Sequence, residues 1–337
     1  MDCLFSFSQK SSQSLWPPDL ENQSIKLQKS SKKSSRLRLV IIPDYEHHSG
    51  EEFQEIAKCV RSHSPEIEVH VGSAKAMFWR SLLFRRKPTL YVALRNLKRW
   101  LPRGGKLLHG LEMDKSAQLD RIRDNGLLQT RYEKIVPGTA LSSDEWGPVV
   151  VVKPERGARG KMVKVRKTNR VRWDYYSEKE EEWLAQEFVY TGKQPTSYRV
   201  QTIFGKTVYV CMHVNPKCGV ELVNPTRSKL FGGHNIVASV RDAEVSLSYD
   251  EEIIAYAEEV SQKAFPEIPS LGLDILRDVR TGVLSVAEVN PWGHTWHVSS
   301  KVGKIIQHKN GICFVDQFGL IERTAEVLIR MTKECAA

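Results

Sequence analysis

The sequence predicts an α/β protein with more than one lobe, and three observations support this. The chain has 337 residues, whereas single domains usually have about 100 to 200. An apolar run at 37–42 (LRLVII) ends at a proline, which is typical of a buried parallel strand. A helical pattern at 51–61 and a second strand at 66–71 follow it. Strand, helix and strand in this order predict a small α/β domain over 37–112.

Composition favours a cytoplasmic protein without a membrane span. No apolar run reaches the roughly 18 residues that cross a bilayer, and the first residues lack the pattern of a secretory signal. The six cysteines are scattered, without a CxxC pair. Residues 1–36 are rich in Ser, Lys and Gln and poor in apolar side chains, so we expect a disordered tail.

The positive charge is concentrated in one segment. The net charge is +10, and residues 75–106 contain ten Lys and Arg residues with no Asp or Glu. Such a segment can bind nucleic acid or a membrane, attract an anionic substrate, or form a solvated face. Nucleic-acid binding is disfavoured, because the aromatic residues of the segment alternate with leucines as they would in a core. We therefore favour the last two interpretations together.

A helix and a hairpin are predicted after residue 113. Asp114 can cap a helix that Gly126 ends by supplying a left-handed backbone conformation. The run VVVVK at 149–153 and the segment 162–166 are predicted strands, joined by the glycine-containing loop 154–161. The loop therefore forms the tip of a hairpin.

Two capping boxes indicate where further helices begin. Ser177 with Glu180 precedes a short predicted helix that contains residues 183–184. Ser248 with Glu251 precedes a second helix whose apolar residues recur on one face.

Three oxygen ligands converge on a second predicted hairpin. Asp274 lies in GLDIL, and Glu288 and Asn290 lie in AEVNP, two residues apart and therefore on the same face of a strand. Mg²⁺ prefers a few oxygen ligands together with phosphate oxygens and water. Because apolar neighbours surround both carboxylates, a metal shared with a bound nucleotide is favoured over a solvated edge.

Lys153 follows four valines, where a charge is costly unless an anion meets it. A phosphate is a natural partner for this ammonium group. Gly157, Gly160 and Lys161 in the next loop suit close approach to phosphate oxygens, although a basic hairpin tip has the same composition. The pattern GxxxxGK[ST] is absent, which disfavours a P-loop enzyme.

From 113 to 300 the chain resembles the ATP-grasp superfamily, in particular carboxylate–amine ligases of the ribosomal-protein glutamate ligase and glutathione synthetase type. Six motifs carry the resemblance and occur in the family's order: DKSAQLDRIRDNG, VVVVKPERGARGKMVKV, AQEFV, SYRVQTIFGK, GLDIL and AEVNPWG. The resemblance implies two α+β lobes that clasp ATP, a small one at 113–190 and a large one at 191–337, after a pre-ATP-grasp domain at 37–112.

The resemblance also implies roles for individual residues. Lys115 and Lys153 would bind the α- and β-phosphates, and the loop 155–161 would cover the triphosphate. The adenine hinge would be formed by Gln186, Glu187, Phe188 and Val189. Arg199 would face the γ-phosphate. One or two Mg²⁺ ions, for which Mn²⁺ can substitute, would be held by Asp274, Glu288 and Asn290. Arg199 and Lys153 would be the catalytic cations.

Two positions depart from the family pattern. Ser197 stands where many amino-acid ligases place an Asp, and His213 stands where a second Arg often follows. The expected function is activation of a small-molecule carboxylate as an acyl phosphate, which an amine then attacks with release of ADP. The departures leave a small-molecule kinase open, and a non-catalytic basic nucleotide-binding interaction protein is a third possibility.

The loop NPWGHTWH after the metal ligands would line the acceptor pocket in the family. Trp292 and Trp296 are equally well explained as packing residues or as a substrate platform. Zinc binding by His294 with His297 is disfavoured, since no cysteine lies nearby. The pair at 47–48 occupies the ligand-facing end of an α/β domain, and a solvated turn is the favoured interpretation.

Overall fold

The computed structural model describes residues 37–84, 87–97, 102, 104–157, 160, 162–176, 181–216 and 242–336. The predicted tail 1–36 lies outside these ranges. The described strands form three sheets of four, four and five strands. Within the described ranges, every helix is too short or too polar to span a lipid bilayer.

The first sheet is parallel, as the strand–helix–strand pattern predicts. Its strands lie in the order β2-β1-β3-β4 and run over Leu37–Ile42 (β1), Ile67–Val71 (β2), Thr89–Ala93 (β3) and Lys106–His109 (β4). Two helices connect them, Glu51–His63 (α1) and Ala74–Ser81 (α2). The predicted strands and helix of this region are confirmed.

The second sheet is antiparallel and has the order β5-β8-β6-β7. Its strands are Tyr132–Lys134 (β5), Val149–Pro154 (β6), Lys164–Lys167 (β7) and Trp183–Glu187 (β8); helices Lys115–Asp124 (α3) and Ser143–Trp146 (α4) precede β5 and β6. The predicted hairpin of β6 and β7 is confirmed. Short 3₁₀ turns at Thr168–Arg170 and Trp173–Tyr175 follow β7.

The prediction of a helix at 183–184 is wrong, because these residues open strand β8. Alternate β8 residues, Trp183 and Ala185, pack in one cluster with Val150 and Val152 of β6. Burial between two strands thus overrides the helical signal of the upstream capping pattern. Both residues of that pattern, Ser177 and Glu180, lie outside the described ranges.

The third sheet is antiparallel, with the order β11-β10-β9-β12-β13. Its strands are Thr196–Ile203 (β9), Lys206–Val214 (β10), Glu244–Leu247 (β11), Ser270–Arg277 (β12) and Leu284–Asn290 (β13); its helices are Glu251–Ala264 (α5), Lys301–Asn310 (α6) and Leu320–Cys335 (α7). The cap of α5 is Asp250, whose carboxylate accepts the Ile253 N–H at 3.1 Å. The prediction that Ser248 caps this helix is therefore wrong. The Ser248 hydroxyl instead accepts the Asp250 N–H at 3.4 Å.

A parallel sheet followed by two antiparallel sheets with helices confirms the predicted α/β class and agrees with the expected order of a small α/β unit followed by two α+β units. Strand β13 joins the two antiparallel sheets, since the Gln186 side chain of β8 donates to the Ala287 carbonyl of β13 at 3.0 Å. The domain limits placed at 112 and 190 stay predictions.

Trp296 ties the third sheet to the first domain. Its ring is fully buried, stacks on Phe53 of α1 at a centroid distance of 5.5 Å, and donates its indole N–H to Glu52 Oε1 at 3.0 Å. Ser299 also donates to Glu52 Oε1, at 2.6 Å. The structure thus decides between the two interpretations of Trp296 in favour of packing.

Replacing Trp296 by Ala should lower the free energy of unfolding by about 3 to 5 kcal/mol, because a large buried side chain leaves a cavity. The matched control is Trp79→Ala, since the Trp79 side chain is 62% exposed and its loss should stay within about 0.5 kcal/mol. Urea unfolding followed by circular dichroism measures both. Equal losses in the two variants would contradict this packing role.

Candidate nucleotide and metal site

Lys153 of β6 crosses from the second sheet to the third. Its side chain is 3% exposed, and its ammonium group donates to the Ala287 carbonyl of β13 at 3.1 Å. Burial lowers the pKa of Lys153 to about 8, although the charge of Glu288 raises it. The ammonium is therefore held between two sheets, with the Glu288 carboxylate as the strongest favourable charge acting on it.

Lys115 reaches the same place from the start of α3. Its buried ammonium donates to the Gly157 carbonyl at 2.9 Å and to the Glu155 carbonyl at 3.3 Å. It lies 4.0 Å from Glu288 Oε1. Two cations predicted from separate motifs and one predicted metal ligand are thus brought together.

The predicted lid follows β6 directly. Gly157 has a φ of 142° and Gly160 a φ of 64°, backbone conformations that L side chains rarely adopt. The Gly157 carbonyl faces Lys115, as described above, so this part of the loop lies against the Lys115 ammonium. Lys161 lies outside the described residues.

The N-terminus of α3 is capped differently from the prediction. Asp114 occupies the N-cap position, but its carboxylate binds Arg156 Nε and Nη2 at 2.7 and 3.1 Å and makes no cap hydrogen bond. Glu155 caps the helix instead, since its Oε1 accepts from the Ser116 N–H at 3.0 Å and from the Ser116 hydroxyl at 2.5 Å. The role of Glu155 was missed because a cap from a distant loop leaves no local sequence pattern.

The three predicted metal ligands lie on one hairpin. Asp274 and Glu288 are directly opposite each other in the β12–β13 register, and Asn290 pairs with Gly272. Arg199 of β9 binds both oxygens of Asp274, at 2.5 and 2.8 Å. Burial lowers the pKa of Arg199, but the charge and hydrogen bonds of Asp274 raise it further, so the guanidinium stays charged.

This donor set fits Mg²⁺. Two carboxylates and an amide supply the oxygen ligands that Mg²⁺ prefers. The Asn290 Nδ2 atom is buried without a hydrogen-bond partner in the described part of the chain, so this end of its amide is not used to hold the fold. A cation at Asp274 would have to share one carboxylate oxygen with Arg199.

The predicted adenine hinge, residues 186–189, spans the end of β8 and the two residues after it. The Gln186 side chain is buried and donates to the Ala287 carbonyl at 3.0 Å and to the Thr130 hydroxyl, and its backbone lies in the sheet between β5 and β6, so Gln186 is held by the fold. The Glu187 N–H already donates to the Arg131 carbonyl at 2.8 Å. Phe188 and Val189 are partly exposed. Within the described ranges, the Val189 N–H has no backbone acceptor.

The two departures from the family pattern are neighbours in space. Ser197 of β9 and His213 of β10 are directly opposite in the register of the sheet. Cys211 lies beside them, with its Sγ 3.2 Å from His213 Nε2. Burial lowers the pKa of His213 to about 4, and the charge of Arg199 adds to the shift. A neutral pair therefore stands where the family pattern has a charged one.

His297 is a second neutral imidazole near Arg199 and His213. Burial lowers its pKa to about 3, and the charges of Arg199 and His213 lower it further. Its Nδ1 lies 3.1 Å from the Ser300 hydroxyl, and its backbone N–H donates to the Tyr209 hydroxyl at 3.3 Å. Neither of these two contacts involves His294.

His294 contacts His47 instead, which the sequence did not suggest. Their ring centroids lie 4.7 Å apart at an interplanar angle of 77°. His47 Nδ1 in turn meets Asp44 Oδ2 at 2.7 Å. The favoured interpretation of residues 47–48 as a solvated turn is confirmed for His47, which is exposed in a turn although hydrogen-bonded to Asp44, and is wrong for His48, which is buried.

Part of the basic segment has structural partners. Lys87 donates to Glu68 Oε2 at 2.8 Å, and Glu68 also binds Arg38 and His70. Burial raises the pKa of Glu68, but these hydrogen bonds outweigh it and lower the pKa to about 2. Tyr91 is fully buried. The segment is therefore not a uniformly solvated face, although five of its cations, Arg85, Arg86, Lys98, Arg99 and Arg103, lie outside the described residues.

No protein-family model matches the chain, and no curated protein matches it. Solved structures do match. The ATP-grasp ligase PsnB with a minimal precursor aligns over 89% of this chain and 100% of its own, at 15% identity and a TM-score of 0.49. D-alanine–D-alanine ligase from Bacillus anthracis with ATP aligns over 88% and 99%, at 14% identity and a TM-score of 0.46.

A third structure is N5-carboxyaminoimidazole synthetase from Staphylococcus aureus with ADP. It aligns over 83% of this chain and 79% of its own, at 12% identity and a TM-score of 0.43. The first structure is described as an ATP-grasp ligase, the superfamily that the sequence resembles. The similarity concerns the fold and says nothing about the substrate of this chain.

The two neutral histidines predict a loss of stability in acid. An unfolded histidine has a pKa of about 6.5, whereas His213 and His297 have values of about 4 and 3 in the fold. Between these values the unfolded chain binds more protons, so stability is complete above pH 6.5 and falls as the pH falls toward 4. Each histidine contributes up to about 1.4 kcal/mol per pH unit.

His213→Gln should therefore flatten the dependence of the unfolding free energy on pH between 6.5 and 5. His308→Gln is the control, since His308 is exposed on α6. The side chains of His213 and His297 keep some contact with solvent, so screening will reduce the effect below its full value. Equal slopes in the wild type and His213→Gln would contradict a neutral His213.

Proposed function

We propose that this chain, with its ATP-grasp fold, is an ATP-dependent ligase. It would activate a carboxylate as an acyl phosphate, which an amine or a similar nucleophile attacks with release of ADP and phosphate. One observation carries the proposal: the buried ammonium groups of Lys115 and Lys153 converge beside Glu288 between the second and third sheets. Such a cluster favours binding of a polyanion together with a metal cation.

Electrostatics supports a phosphate ligand at this point. A buried ammonium without a strong anionic partner is costly, and backbone carbonyls offset only part of that cost. The lowered pKa of Lys153 reflects this burial. Phosphate oxygens beside Lys153 would favour its protonated form and raise its pKa, so binding of a nucleotide would relieve an unfavourable feature of the free protein.

We propose the roles of the other residues from the resemblance to the ATP-grasp superfamily. The Glu187 carbonyl and the Val189 N–H would bind the adenine edge, and Arg199 would face the γ-phosphate. Mg²⁺, held by Asp274, Glu288 and Asn290, would neutralise charge on the transferring phosphoryl group. Arg199 would share Asp274 with the metal, which keeps a cation and an anion side by side at the place of transfer.

Two displacements would make up the reaction. A carboxylate oxygen of the substrate attacks the γ-phosphorus, and the bond to the β-phosphate oxygen breaks to release ADP. The amine nitrogen then attacks the acyl carbon, the bond from that carbon to phosphate breaks, and the amine loses a proton. His213 and His297 have pKa values too low to accept that proton well at neutral pH. They would act as neutral hydrogen-bonding groups in the acceptor pocket.

A small-molecule kinase is the second candidate, and the neutral pair of Ser197 and His213 favours it. Without a charged pair at this position, orientation of an amino-acid carboxylate would need other residues. The two functions differ in whether ADP release requires a second nucleophile. A screen of amino acids, dipeptides and polycarboxylates, each with and without hydroxylamine, separates them, because hydroxylamine traps an acyl phosphate as a hydroxamate.

Glu288→Gln should lower the rate of ADP release by at least about 100-fold, since it removes a charge that stabilises the transition state. The fold should persist, because the side-chain volume is kept and Glu288 is only partly buried. Glu251→Gln, on an exposed residue of α5, is the control and should retain full turnover. Near wild-type ADP release by Glu288→Gln in saturating Mg²⁺ would rule out its proposed role.

Lys153→Met should weaken ATP binding by about 10- to 100-fold, the value of one charge-assisted hydrogen bond of about 1.5 to 3 kcal/mol. Met fills the buried space without a charge, so the melting temperature should not fall. Lys164→Met, on the exposed face of β7, is the matched control. Calorimetric titration with a non-hydrolysable ATP analogue measures all three proteins, and an unchanged dissociation constant for Lys153→Met would contradict the assignment.

A further inference from the structure

A second group of potential ligands lies apart from the phosphate site. Asp44 and His47 belong to the loop between β1 and α1, and His294 belongs to the loop after β13. One carboxylate oxygen and one ring nitrogen from each histidine all lie within 4.8 Å of one another. Residues about 250 positions apart are thus brought to one point, where the first domain meets the predicted acceptor loop.

The carboxylate of Asp44 is held from outside this group. Asp44 is 3% exposed, and its Oδ1 accepts from Arg95 Nη1 at 3.3 Å and from the Glu46 N–H at 3.3 Å. Its other oxygen, Oδ2, faces His47 Nδ1 at 2.7 Å. Hydrogen bonds to Oδ1 fix the carboxylate and thereby orient Oδ2. Hydrogen-bond partners of metal-ligating side chains act in the same way.

The two histidines complete an open arrangement. His47 and His294 are both exposed, and their edge-to-face contact places ring nitrogens near Asp44 Oδ2. His48 lies beside them, with its ring centroid 6.4 Å from that of His47. The His48 side chain is buried, and neither of its ring nitrogens makes a well-formed hydrogen bond to a described residue. A water or substrate group held at this point would give His48 a partner.

We propose that Asp44, His47 and His294 bind a divalent transition-metal ion such as Zn²⁺. Two imidazoles and one carboxylate, with the remaining positions open, form a ligand set that suits Zn²⁺ and related ions. The site differs in chemistry from Asp274, Glu288 and Asn290, which offer oxygen only and suit Mg²⁺. His47 would exchange its hydrogen bond to Asp44 for a bond to the ion, with its proton moving to the other ring nitrogen.

The ion would join two parts of the molecule and face the acceptor side of the cleft. It would hold the loop after β1 against the loop after β13. Trp296 already ties this second loop to α1 through its hydrogen bond to Glu52. Its open positions would point to solvent, because both imidazoles are exposed. An amine or another nucleophile could therefore bind to it. The metal site itself does not depend on the proposed ligase activity.

The test is Zn²⁺ binding by the full chain, stripped with a chelator, titrated calorimetrically without nucleotide and with Mg²⁺ in excess. We expect one Zn²⁺ ion to bind per chain. His47→Ala and His294→Ala should each weaken Zn²⁺ at least about 10-fold, and Arg95→Gln should weaken it about 10- to 100-fold through Asp44. Both histidines are exposed, so these variants should fold, which their melting temperatures will check.

Two controls locate the ion. His63→Ala should retain full Zn²⁺ affinity; His63 is exposed and its Nδ1 lies 3.3 Å from Cys59 Sγ, a pair that could bind zinc elsewhere. Glu288→Gln should also retain it, which separates this proposal from the ligase proposal. The proposal is overturned if the wild type binds no Zn²⁺, if both His47→Ala and His294→Ala bind it normally, or if His63→Ala or Glu288→Gln abolishes binding.

Discussion

The buried ammonium of Lys153 is the constraint on which the arrangement of the cleft depends. A strand of four valines ends in a charge that has almost no access to water, and removal of an ion from water costs several kcal/mol. The chain offsets this cost with the Ala287 carbonyl and the nearby carboxylate of Glu288. Both partners belong to β13, so the second sheet packs where the third carries its acidic residues.

Charge is distributed unevenly across this cleft. Lys115, Lys153 and Glu288 form a charged side beneath the loop after β6. The Arg199–Asp274 ion pair lies at the edge of this charged side. Beyond the pair, His213 and His297 are neutral because of burial and the neighbouring guanidinium. A polyanion and an uncharged or weakly charged acceptor would therefore meet at Arg199.

The sequence could predict those features that depend on neighbours along the chain. Strand β1, the hairpin of β6 and β7 and the hairpin of β12 and β13 follow from apolar runs, alternation and turns. The order of six short motifs suggests the overall arrangement. Predictions from local sequence patterns were wrong where contacts between residues far apart in the sequence determine the structure. Burial made Trp183 part of a strand, and Glu155 took the capping role predicted for Asp114. The contact of His47 with His294 joins loops far apart in sequence, and no spacing rule finds it.

The pKa of Lys153 tests the central claim most directly. Amine labelling of the folded protein as a function of pH, followed by mass spectrometry, measures this pKa with and without ATP and Mg²⁺, with the exposed Lys164 as internal reference. The account predicts a pKa of about 8 in the free protein, and an increase together with protection from labelling when the nucleotide binds. A pKa near the ordinary lysine value of about 10.4, unchanged by ATP, would contradict it.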